Sequence, residues 1–387
     1  MNTSPAMDEN NPRVMIVAGE ASGDQHAADL FLELKKEFPA VTALGMGGRN
    51  MRDAGIDIRF DSTDIAVIGV DGLFRKLPKI RRALRLMRRL VCEEKPDLLI
   101  CVDYKEFNFK LARHAKSCGV RVLFYVSPQV WAWRPGRVKK YGRVIDHMAV
   151  IFPFEVPFYQ EHQVPVTFVG HPLADKVRPS LGKAESMAGM GLDPERPIVG
   201  LLPGSRGAEI RRLLPVIEKA VTELRKKIPG IQFVVVQAST VTDSQIGEFL
   251  DTCDSDLIVV KKNIYDAIQC CDAVVTTSGT ATLEVALLGI PMVIVYKVGP
   301  LTYWLGRLLV RISFIGLPNI VAGKRIVEEL VQHRATPGTI CQEIRKILSD
   351  AAYASEISTN LLKVREKLGE GGGMERLAQV ALQMLKV

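Results

Sequence analysis

The chain has 387 residues, of which 47% are apolar and 24% charged, and its formal net charge is +8. This length suits two domains of ordinary size, and the composition is that of a globular protein and not of a low-complexity chain. The basic excess favours acidic partners, namely nucleic acid, an anionic membrane or phosphorylated small molecules. The seven cysteines are odd in number and form no C-x-x-C pair. We therefore expect reduced thiols in a cytosolic protein, not a zinc site or a disulfide framework.

Two stretches most resemble a targeting or a membrane-spanning segment, but neither has the composition that such a segment requires. The N-terminal MNTSPAMDENN is polar, so we expect a short disordered tail and not a signal peptide. The most apolar later stretch, PLTYWLGRLLVRISFIGLPNIVAG, is interrupted by Arg307 and Arg311, and no run of about eighteen uncharged apolar residues occurs. The sequence predicts no spanning helix, so any contact with a membrane is expected from its surface.

Strand-like and helix-like segments alternate along the chain. Apolar runs typical of buried strands include RVMIVAG, DLLICVD and VRVLFYVS in the first half, and PIVGLLPGS, QFVVVQA and DAVVTTSG in the second. Helical patterns such as IRRLLPVIEKAVTELRKKI separate them. This alternation predicts an α/β fold of two Rossmann-like, doubly wound parallel-sheet domains. We expect the two domains to face a cleft, because such sheets bind ligands beyond the carboxyl ends of their strands.

The domain boundary is predicted near residue 175. The stretch HPLADKVRPSLGKAESMAGMGLDPERP is rich in proline and glycine, contains no strand run, and precedes a fresh strand. Residues 12–175 are predicted to bind an acceptor and face a membrane, and residues 176–372 to bind a nucleotide. The final helical segment, 373–387, could belong to either domain, and packing back onto the first is one option.

The first predicted strand leads into the turn GEASGD, which contains Glu20, Ser22, Gly23 and Asp24. A glycine-containing turn between a strand and a helix suits a phosphate, but two carboxylates would repel one. Carboxylates and a serine hydroxyl suit the hydroxyl and amide groups of a neutral sugar instead. The sequence therefore predicts that these four residues bind an acceptor sugar.

Residues 67–92 combine a helical apolar face with many basic residues. A basic amphipathic helix preceded by Leu73 and Phe74 suits an anionic bilayer surface. An ordinary sheet-covering helix with a solvated basic face explains the pattern equally well. The residues predicted to contact the membrane are Leu73, Phe74, Arg75, Lys76, Leu77, Lys79 and Arg82.

The segment PDLLICVDYKEFNFK places Asp103 at the carboxyl end of a buried strand, with Glu106 just after it. A carboxylate there can act as general base toward a sugar hydroxyl if burial raises its pKa. A helix cap or an ion-pair partner is the alternative, and the sequence alone leaves both open.

The turn GLLPGSRGAEIRR follows the first strand of the second half. Gly204 and Ser205 allow the backbone to approach a ligand closely, and Arg206 offers a forked cation for a diphosphate. A tight loop with a surface arginine is the alternative.

In VVTTSGTATLEVALLGIP, Ser278, Gly279 and Thr280 end a strand and open a helix, where backbone N–H groups suit an anion. Glu284 lies one turn further on and can accept both hydroxyls of a ribose. An ordinary capped helix with a first-turn glutamate is the alternative. Together, the turn that contains Arg206 and the turn that leads to Glu284 favour a nucleotide diphosphate as the ligand.

No metal site is predicted. The D-x-D motif at 254–256 precedes a strand instead of following one, so we attribute it to chance. His171, in GHPL, is attributed to packing at the exit of the first domain.

Taken together, the chain resembles the lipid-A-disaccharide synthases. The resemblance rests on VAGEASGD, PDLLICVD, YVSPQVWAWRPGRV, FPFE, FVGHPL, LLPGSR, TTSGTATLE and LPNIVAG, which occur in family order over nearly the full length. It implies a two-domain GT-B fold and an inverting transfer without a metal or other cofactor. The implied donor is UDP-2,3-diacylglucosamine and the implied acceptor is 2,3-diacylglucosamine 1-phosphate. The products would be the β-1,6-linked lipid A disaccharide 1-phosphate and UDP.

The resemblance also implies roles for matching residues. Asp103 would be the base for the acceptor's 6-hydroxyl, and Asn319, in LPN, would join Arg206 and the second-half turns at the donor. The family usually has an aspartate, two residues and another aspartate before FN. Glu106 would join Glu20, Ser22, Gly23 and Asp24 at the acceptor. It stands where the second aspartate is usual, so its position is the one departure.

The partners implied are the two lipid substrates and the anionic inner face of the cytoplasmic membrane, with no nucleic acid; a homodimer stays open. Two other classes of protein remain as alternatives. One is another enzyme that uses a UDP-sugar, such as the peptidoglycan N-acetylglucosaminyltransferase or the UDP-N-acetylglucosamine 2-epimerase, because fold does not decide function. The other is a basic membrane-binding or RNA-binding protein without catalysis.

Overall fold

The structure is a computed structural model that describes residues 11–65, 70–133, 135–252, 257–299, 303 and 313–386. The chain forms two compact units. The first unit runs to Pro172 and resumes at Gly371, and the second comprises Leu173–Glu370. No helix within the described residues combines the length and apolarity that are needed to cross a membrane.

The first unit is built on a seven-stranded sheet in which all pairings are parallel. The strands are β1 (Arg13–Ala18), β2 (Thr42–Gly47), β3 (Asp57–Asp61), β4 (Leu98–Val102), β5 (Arg121–Tyr125), β6 (His147–Val150) and β7 (Val166–Phe168). Their order is β3-β2-β1-β4-β5-β6-β7. The order of connection reverses between β1 and β4, where a doubly wound sheet opens its binding crevice.

Helices connect these strands. They are α1 (Ala21–Glu37), α2 (Arg49–Asp53), α3 (Val70–Glu94), α4 (Lys105–Ser117), α5 (Val130–Trp133), α6 (Val138–Gly142) and α7 (Glu155–Glu161). Short 3₁₀ turns lie at Ser62–Asp64 and Pro135–Arg137.

The second unit has a six-stranded parallel sheet in the order β10-β9-β8-β11-β12-β13. The strands are β8 (Ile198–Leu202), β9 (Gln232–Val236), β10 (Leu257–Val260), β11 (Ala273–Thr277), β12 (Met292–Tyr296) and β13 (Glu328–Val331). The first helices of this unit are α8 (Leu173–Lys176), α9 (Lys183–Met190), α10 (Gly207–Lys227), α11 (Asp243–Thr252), α12 (Ile264–Ile268) and α13 (Ala281–Leu287). They are followed by α14 (Leu317–Ala322), α15 (Pro337–Ser349) and α16 (Ala351–Leu368), with a 3₁₀ turn at Gln332–Arg334. Here the order reverses between β8 and β11. The two sheets therefore give the GT-B fold.

The last helix, α17 (Gly373–Leu385), belongs to the first unit. Alternate residues of β1 point to opposite faces of the sheet, as the pleat requires. Met15 and Val17 join a core with α3 and α4, whereas Val14 and Ile16 join one with α1 and α17. A strand that is buried on both faces must be apolar throughout, and this explains the continuous run in the sequence.

A buried carboxyl group ties the loops after β5 and β6 together. Glu155 Oε1 accepts hydrogen bonds from Ser127 Oγ at 2.6 Å and from Trp131 Nε1 at 3.1 Å, while Oε2 accepts one from the Phe152 N–H at 3.2 Å. Tyr159 Oη in turn donates to Ser127 Oγ at 3.0 Å. Burial raises the pKa of Glu155 to about 7, although the hydrogen bonds it accepts act in the opposite direction.

This raised pKa makes stability depend on pH. The ordinary pKa of a glutamate is 4.5, so between pH 4.5 and 7 the folded protein holds the Glu155 proton more tightly than the unfolded chain does. Stability from this group is present at low pH and is lost as pH rises through 7.

We predict that Glu155→Gln, which cannot ionise, gains stability relative to the wild type between pH 5 and pH 8. The gain should be on the order of 2–3 kcal/mol, from about 1.4 kcal/mol per unit of pKa shift. Urea unfolding at the two pH values measures it. Glu161→Gln, an exposed change on the same helix, is the control and should show no such trend. A Glu155→Gln difference that is the same at both pH values would contradict the prediction.

Candidate functional site

A cavity of about 650 Å³ lies in the second unit, beyond the carboxyl ends of β8, β9, β10 and β11. The parallel strands gather the turns that follow them at one edge of the sheet. The predicted nucleotide-binding residues that line the cavity are Gly204, Ser205, Arg206, Ser278, Gly279, Thr280 and Glu284. The structure therefore brings together seven residues from two motifs that are far apart in the sequence.

The turn after β8 is closely packed and carries an exposed cation. Gly204 has φ +116°, and a Cβ there would lie 3.0 Å from Glu209 Oε2, so only glycine fits without a shift. Arg206 pairs with Glu209 at 3.0 Å, and its side chain is 79% exposed. An exposed ion pair of this kind contributes little to stability, so Arg206 can exchange Glu209 for an anionic ligand at small cost.

In the turn after β11 the polar side chains are oriented by neighbours. Ser278 Oγ donates a hydrogen bond of 2.8 Å to the Ile315 carbonyl oxygen. Tyr265 Oη donates one of 3.1 Å to Glu284 Oε1. Burial raises the pKa of Glu284, and the Tyr265 hydrogen bond lowers it again. The Tyr265 hydrogen bond thus orients a carboxylate that lines the cavity.

The loop after β10 supplies residues that the sequence analysis missed. Lys261, Lys262, Asn263 and Tyr265 all line the cavity. Asn263 has φ +50°, the left-handed conformation that asparagine tolerates. The signal was present, because two lysines directly follow the strand run LIVV, and a turn at the carboxyl end of a strand faces the same edge as the turns already identified.

Asn319, which was predicted to bind the donor, lies inside the second unit. It is fully buried and does not line the cavity. Its Nδ2 donates to the Val327 carbonyl oxygen and to Glu329 Oε1, and its Oδ1 accepts from the N–H groups of Ile326 and Val327. Because its amide is already fully hydrogen-bonded inside the unit, it has a structural role.

Asn319 nevertheless acts on the cavity through its partner. Glu329, which it contacts at 2.7 Å, accepts hydrogen bonds from the backbone N–H groups of Ile315 and Gly316. The Ile315 carbonyl oxygen holds Ser278. The buried Asn319–Glu329 pair thus positions the loop that orients a cavity residue.

In the first unit, the strand order reverses where Glu20 follows β1 and Asp103 follows β4. Asp103 and Tyr104 have φ values of +46° and +43°. Two consecutive non-glycine residues in the left-handed region store strain, which is often found at functional sites. The buried Asn108 holds this turn, because its Nδ2 donates to the Asp103 carbonyl oxygen at 2.8 Å and to that of Val102 at 3.2 Å.

The two carboxyl groups at this reversal share one electrostatic environment. Burial raises the pKa of Asp103, and the Lys105 cation and the Tyr104 N–H partly offset that rise. The pKa of Glu20 is also raised, first by burial and then by the Asp103 charge. A half-buried carboxylate of raised pKa at the carboxyl end of a strand is equipped to accept a proton.

Two residues of the predicted acceptor-binding turn have other roles. Asp24 is only 4% exposed. Its carboxylate accepts hydrogen bonds from the N–H groups of Gly48, Asn50 and Met51 at 2.5–3.3 Å, so it caps α2. Gly23 is buried, and a Cβ there would lie 3.4 Å from Ala18 Cβ, so it packs α1 against the sheet.

Glu20 and Ser22 are exposed, so they remain accessible to a ligand. Glu106 is exposed too, and it pairs with Arg137 at 2.8 Å beside a small cavity of about 160 Å³ that Lys105 also lines. The glutamate in the place of the usual aspartate therefore forms an ion pair with Arg137.

The predicted membrane residues lie at the start of α3. The side chains of Leu73, Phe74 and Arg75 lie outside the described part of the structure. Lys76 and Leu77 are partly buried, whereas Lys79 and Arg82 are exposed. Further along α3 the apolar side packs on the sheet through Ala83, Met87, Leu90 and Val91.

The D-x-D motif and His171 were not predicted to form a functional site. The D-x-D motif at 254–256 lies outside the described residues. His171 is buried, and its ring centroid lies 5.0 Å from that of Phe152. Burial and the nearby His26 lower its pKa to about 4, so it is neutral at physiological pH.

Comparison with known proteins gives evidence on the family of the chain that is independent of the cavity. The family model of lipid-A-disaccharide synthetase matches residues 14–383. The lipid-A-disaccharide synthase of Geobacter sulfurreducens is 51% identical over 380 residues, 98% of this chain and 99% of that protein. The one from Nitrosococcus oceani is 44% identical over 380 residues, 98% of both chains.

Solved structures that resemble this one share its fold at low identity. The UDP-GlcNAc 2-epimerase of Neisseria meningitidis bound to UDP-GlcNAc has a TM-score of 0.65 at 13% identity, with 96% of this chain and 100% of that one covered. A glycosyltransferase from Rickettsia africae has a TM-score of 0.56 at 10% identity, with 97% and 98% covered. Both are similar in fold alone, and the match over nearly the whole sequence decides the family: the chain belongs to the lipid-A-disaccharide synthases, which are glycosyltransferases.

Proposed function

We propose that the protein condenses UDP-2,3-diacylglucosamine with 2,3-diacylglucosamine 1-phosphate and releases UDP. The product is the β-1,6-linked lipid A disaccharide 1-phosphate. The observation that carries the proposal is the cavity in the second unit, where cations and an oriented carboxylate line one space. That combination suits the diphosphate and the ribose of a UDP-sugar.

The donor is held by groups from three turns. Arg206, Lys261 and Lys262 supply cations for the diphosphate. Glu284, oriented by Tyr265, accepts the ribose hydroxyls. The cations outnumber the two carboxylates of the cavity, Glu209 and Glu284, so the net charge favours a dianionic ligand.

The acceptor is activated by Asp103. Its carboxylate takes the proton of the 6-hydroxyl as the oxygen attacks the anomeric carbon, and the bond from that carbon to the UDP oxygen breaks with inversion. Burial raises the pKa of Asp103, which makes it a stronger base than an exposed aspartate. Arg206 and the backbone N–H groups at Ser278 stabilise the charge on the departing diphosphate. Glu20 and Ser22 bind hydroxyl groups of the acceptor.

A coupled assay tests the function. The protein is incubated in detergent with both lipid substrates, and UDP and the disaccharide are followed by mass. Equal amounts of the two products are expected. UDP release without disaccharide would show a different acceptor, and no UDP release would overturn the proposal.

In the same assay, Asp103→Asn is predicted to lower kcat by about 100-fold or more, the usual contribution of a general base. Its affinity for UDP should not change, because Asp103 does not line the donor cavity. Asp57→Asn, an exposed change in the same unit, is the control. Near-normal turnover of a folded Asp103→Asn protein would remove Asp103 from the catalytic role.

We further propose that the first unit binds the anionic inner face of the cytoplasmic membrane, where both lipid substrates reside. What supports this is the outer side of α3, where Arg81, Arg82, Arg85 and Arg89 are exposed while the opposite side packs on the sheet. Each basic residue near such a surface contributes about 1 kcal/mol.

Reversing two of these charges, Arg82→Glu with Arg85→Glu, is predicted to weaken binding to phosphatidylglycerol-containing vesicles by about 30-fold or more, since about 2 kcal/mol of attraction is lost. Vesicle flotation measures the change. Lys226→Glu with Lys227→Glu, a matched pair of exposed basic residues on α10, should bind as the wild type does. Equal losses in the two double variants would contradict the proposal.

A further inference from the structure

Two cysteines and a histidine meet at the far ends of α3 and α4, in the first unit. Cys92 lies in the last turn of α3, His114 lies in the last turn of α4, and Cys118 directly follows α4 as its C-cap. Cys92 is exposed and Cys118 is partly buried, so the cluster is accessible from solvent. The proposed transfer reaction uses none of these three side chains.

The distances within the cluster match those between ligands of one metal ion. His114 Nε2 lies 3.4 Å from Cys92 Sγ and 3.8 Å from Cys118 Sγ, and all three atoms lie within 4.8 Å of one another. In a tetrahedral zinc site the metal–sulfur and metal–nitrogen bonds are about 2.3 and 2.0 Å, which places sulfur and nitrogen about 3.5 Å apart. The two sulfur–nitrogen distances lie on either side of that value.

We propose that Cys92, His114 and Cys118 bind one Zn²⁺ ion, with water as the fourth ligand. Thiolate and imidazole are the ligands that select zinc over magnesium or calcium. The cluster is hard to identify from the sequence, because His114 and Cys118 are four residues apart but Cys92 lies 22 positions before His114. The ligands come together only because α3 and α4 pack side by side.

Zn²⁺ binding changes the protonation of all three ligands. Binding requires both thiols to lose their protons to solvent, and the neutral imidazole must carry its proton on Nδ1. Before binding, Nε2 also lies 3.2 Å from the Arg88 carbonyl oxygen, which can accept its proton in a hydrogen bond.

Zinc at this position would join the end of α3 to the end of α4. The opposite end of α4 begins just after the strained Asp103–Tyr104 turn. A ligand that binds only the folded state stabilises it. The ion would therefore stabilise the helix that follows the proposed base Asp103, without contacting a substrate.

Cobalt substitution of the intact, reduced protein tests the site. Co²⁺ titration is expected to give a thiolate-to-cobalt charge-transfer band and the visible bands of tetrahedral Co²⁺, saturating at one ion per chain. Excess Zn²⁺ should abolish these bands and raise the Tm. Cys92→Ser and Cys118→Ser should each reduce the charge-transfer band by about half or more, and His114→Gln should weaken Zn²⁺ binding by at least 10-fold.

Cys341→Ala and His162→Gln remove a thiol and an imidazole outside the cluster, and both variants should retain the wild-type cobalt spectrum. Absence of the charge-transfer band in the reduced wild-type protein would overturn the proposal. A band that persists in Cys92→Ser and Cys118→Ser would do the same. Oxidation to a Cys92–Cys118 disulfide in protein that fails to bind cobalt would show that the cluster is a redox pair instead.

Discussion

A parallel sheet gathers the carboxyl ends of its strands at one edge, and the proposed transfer reaction depends on that constraint. In each unit the strand order reverses next to the first strand, so the turns on the two sides of the reversal diverge and leave room for a ligand. The turns after β1 and β4 bring Glu20 and Asp103 together. The turns after β8, β10 and β11 bring together cations and an oriented glutamate. Residues far apart in the sequence become neighbours because the sheets are parallel.

The two edges differ in charge, and that difference supports the proposal that they bind different substrates. In the first unit, carboxyl groups are held where burial raises their pKa, which suits proton transfer from a hydroxyl. In the second unit, Arg206, Lys261 and Lys262 face the cavity, which suits a diphosphate. Buried polar partners hold both arrangements in place. Asn108 supports the left-handed turn at Asp103, and Glu329 supports the loop that orients Ser278.

The sequence predicts the fold and the site-bearing turns well, because apolar runs and their spacing reflect burial directly. It does not show which polar side chain in a turn faces the ligand. Asp24 and Asn319 belong to motifs that mark the site, yet both direct their hydrogen bonds inward, to α2 and to Glu329. Tyr265 and the Cys92–His114–Cys118 cluster are the opposite case, because the sequence did not indicate them as site residues. They have no motif, and only the packing of separate elements brings them to their partners.

We propose that the turns of the second unit, and not the turn of Asp103, bind the nucleotide. Hydrogen–deuterium exchange of the full chain with and without UDP tests it most directly. Slower amide exchange on UDP binding is expected in residues 204–209, 261–265 and 278–284, with no change in residues 103–108. Protection of residues 103–108 with none around residue 284 would contradict it, because the nucleotide would then occupy the site assigned to the acceptor.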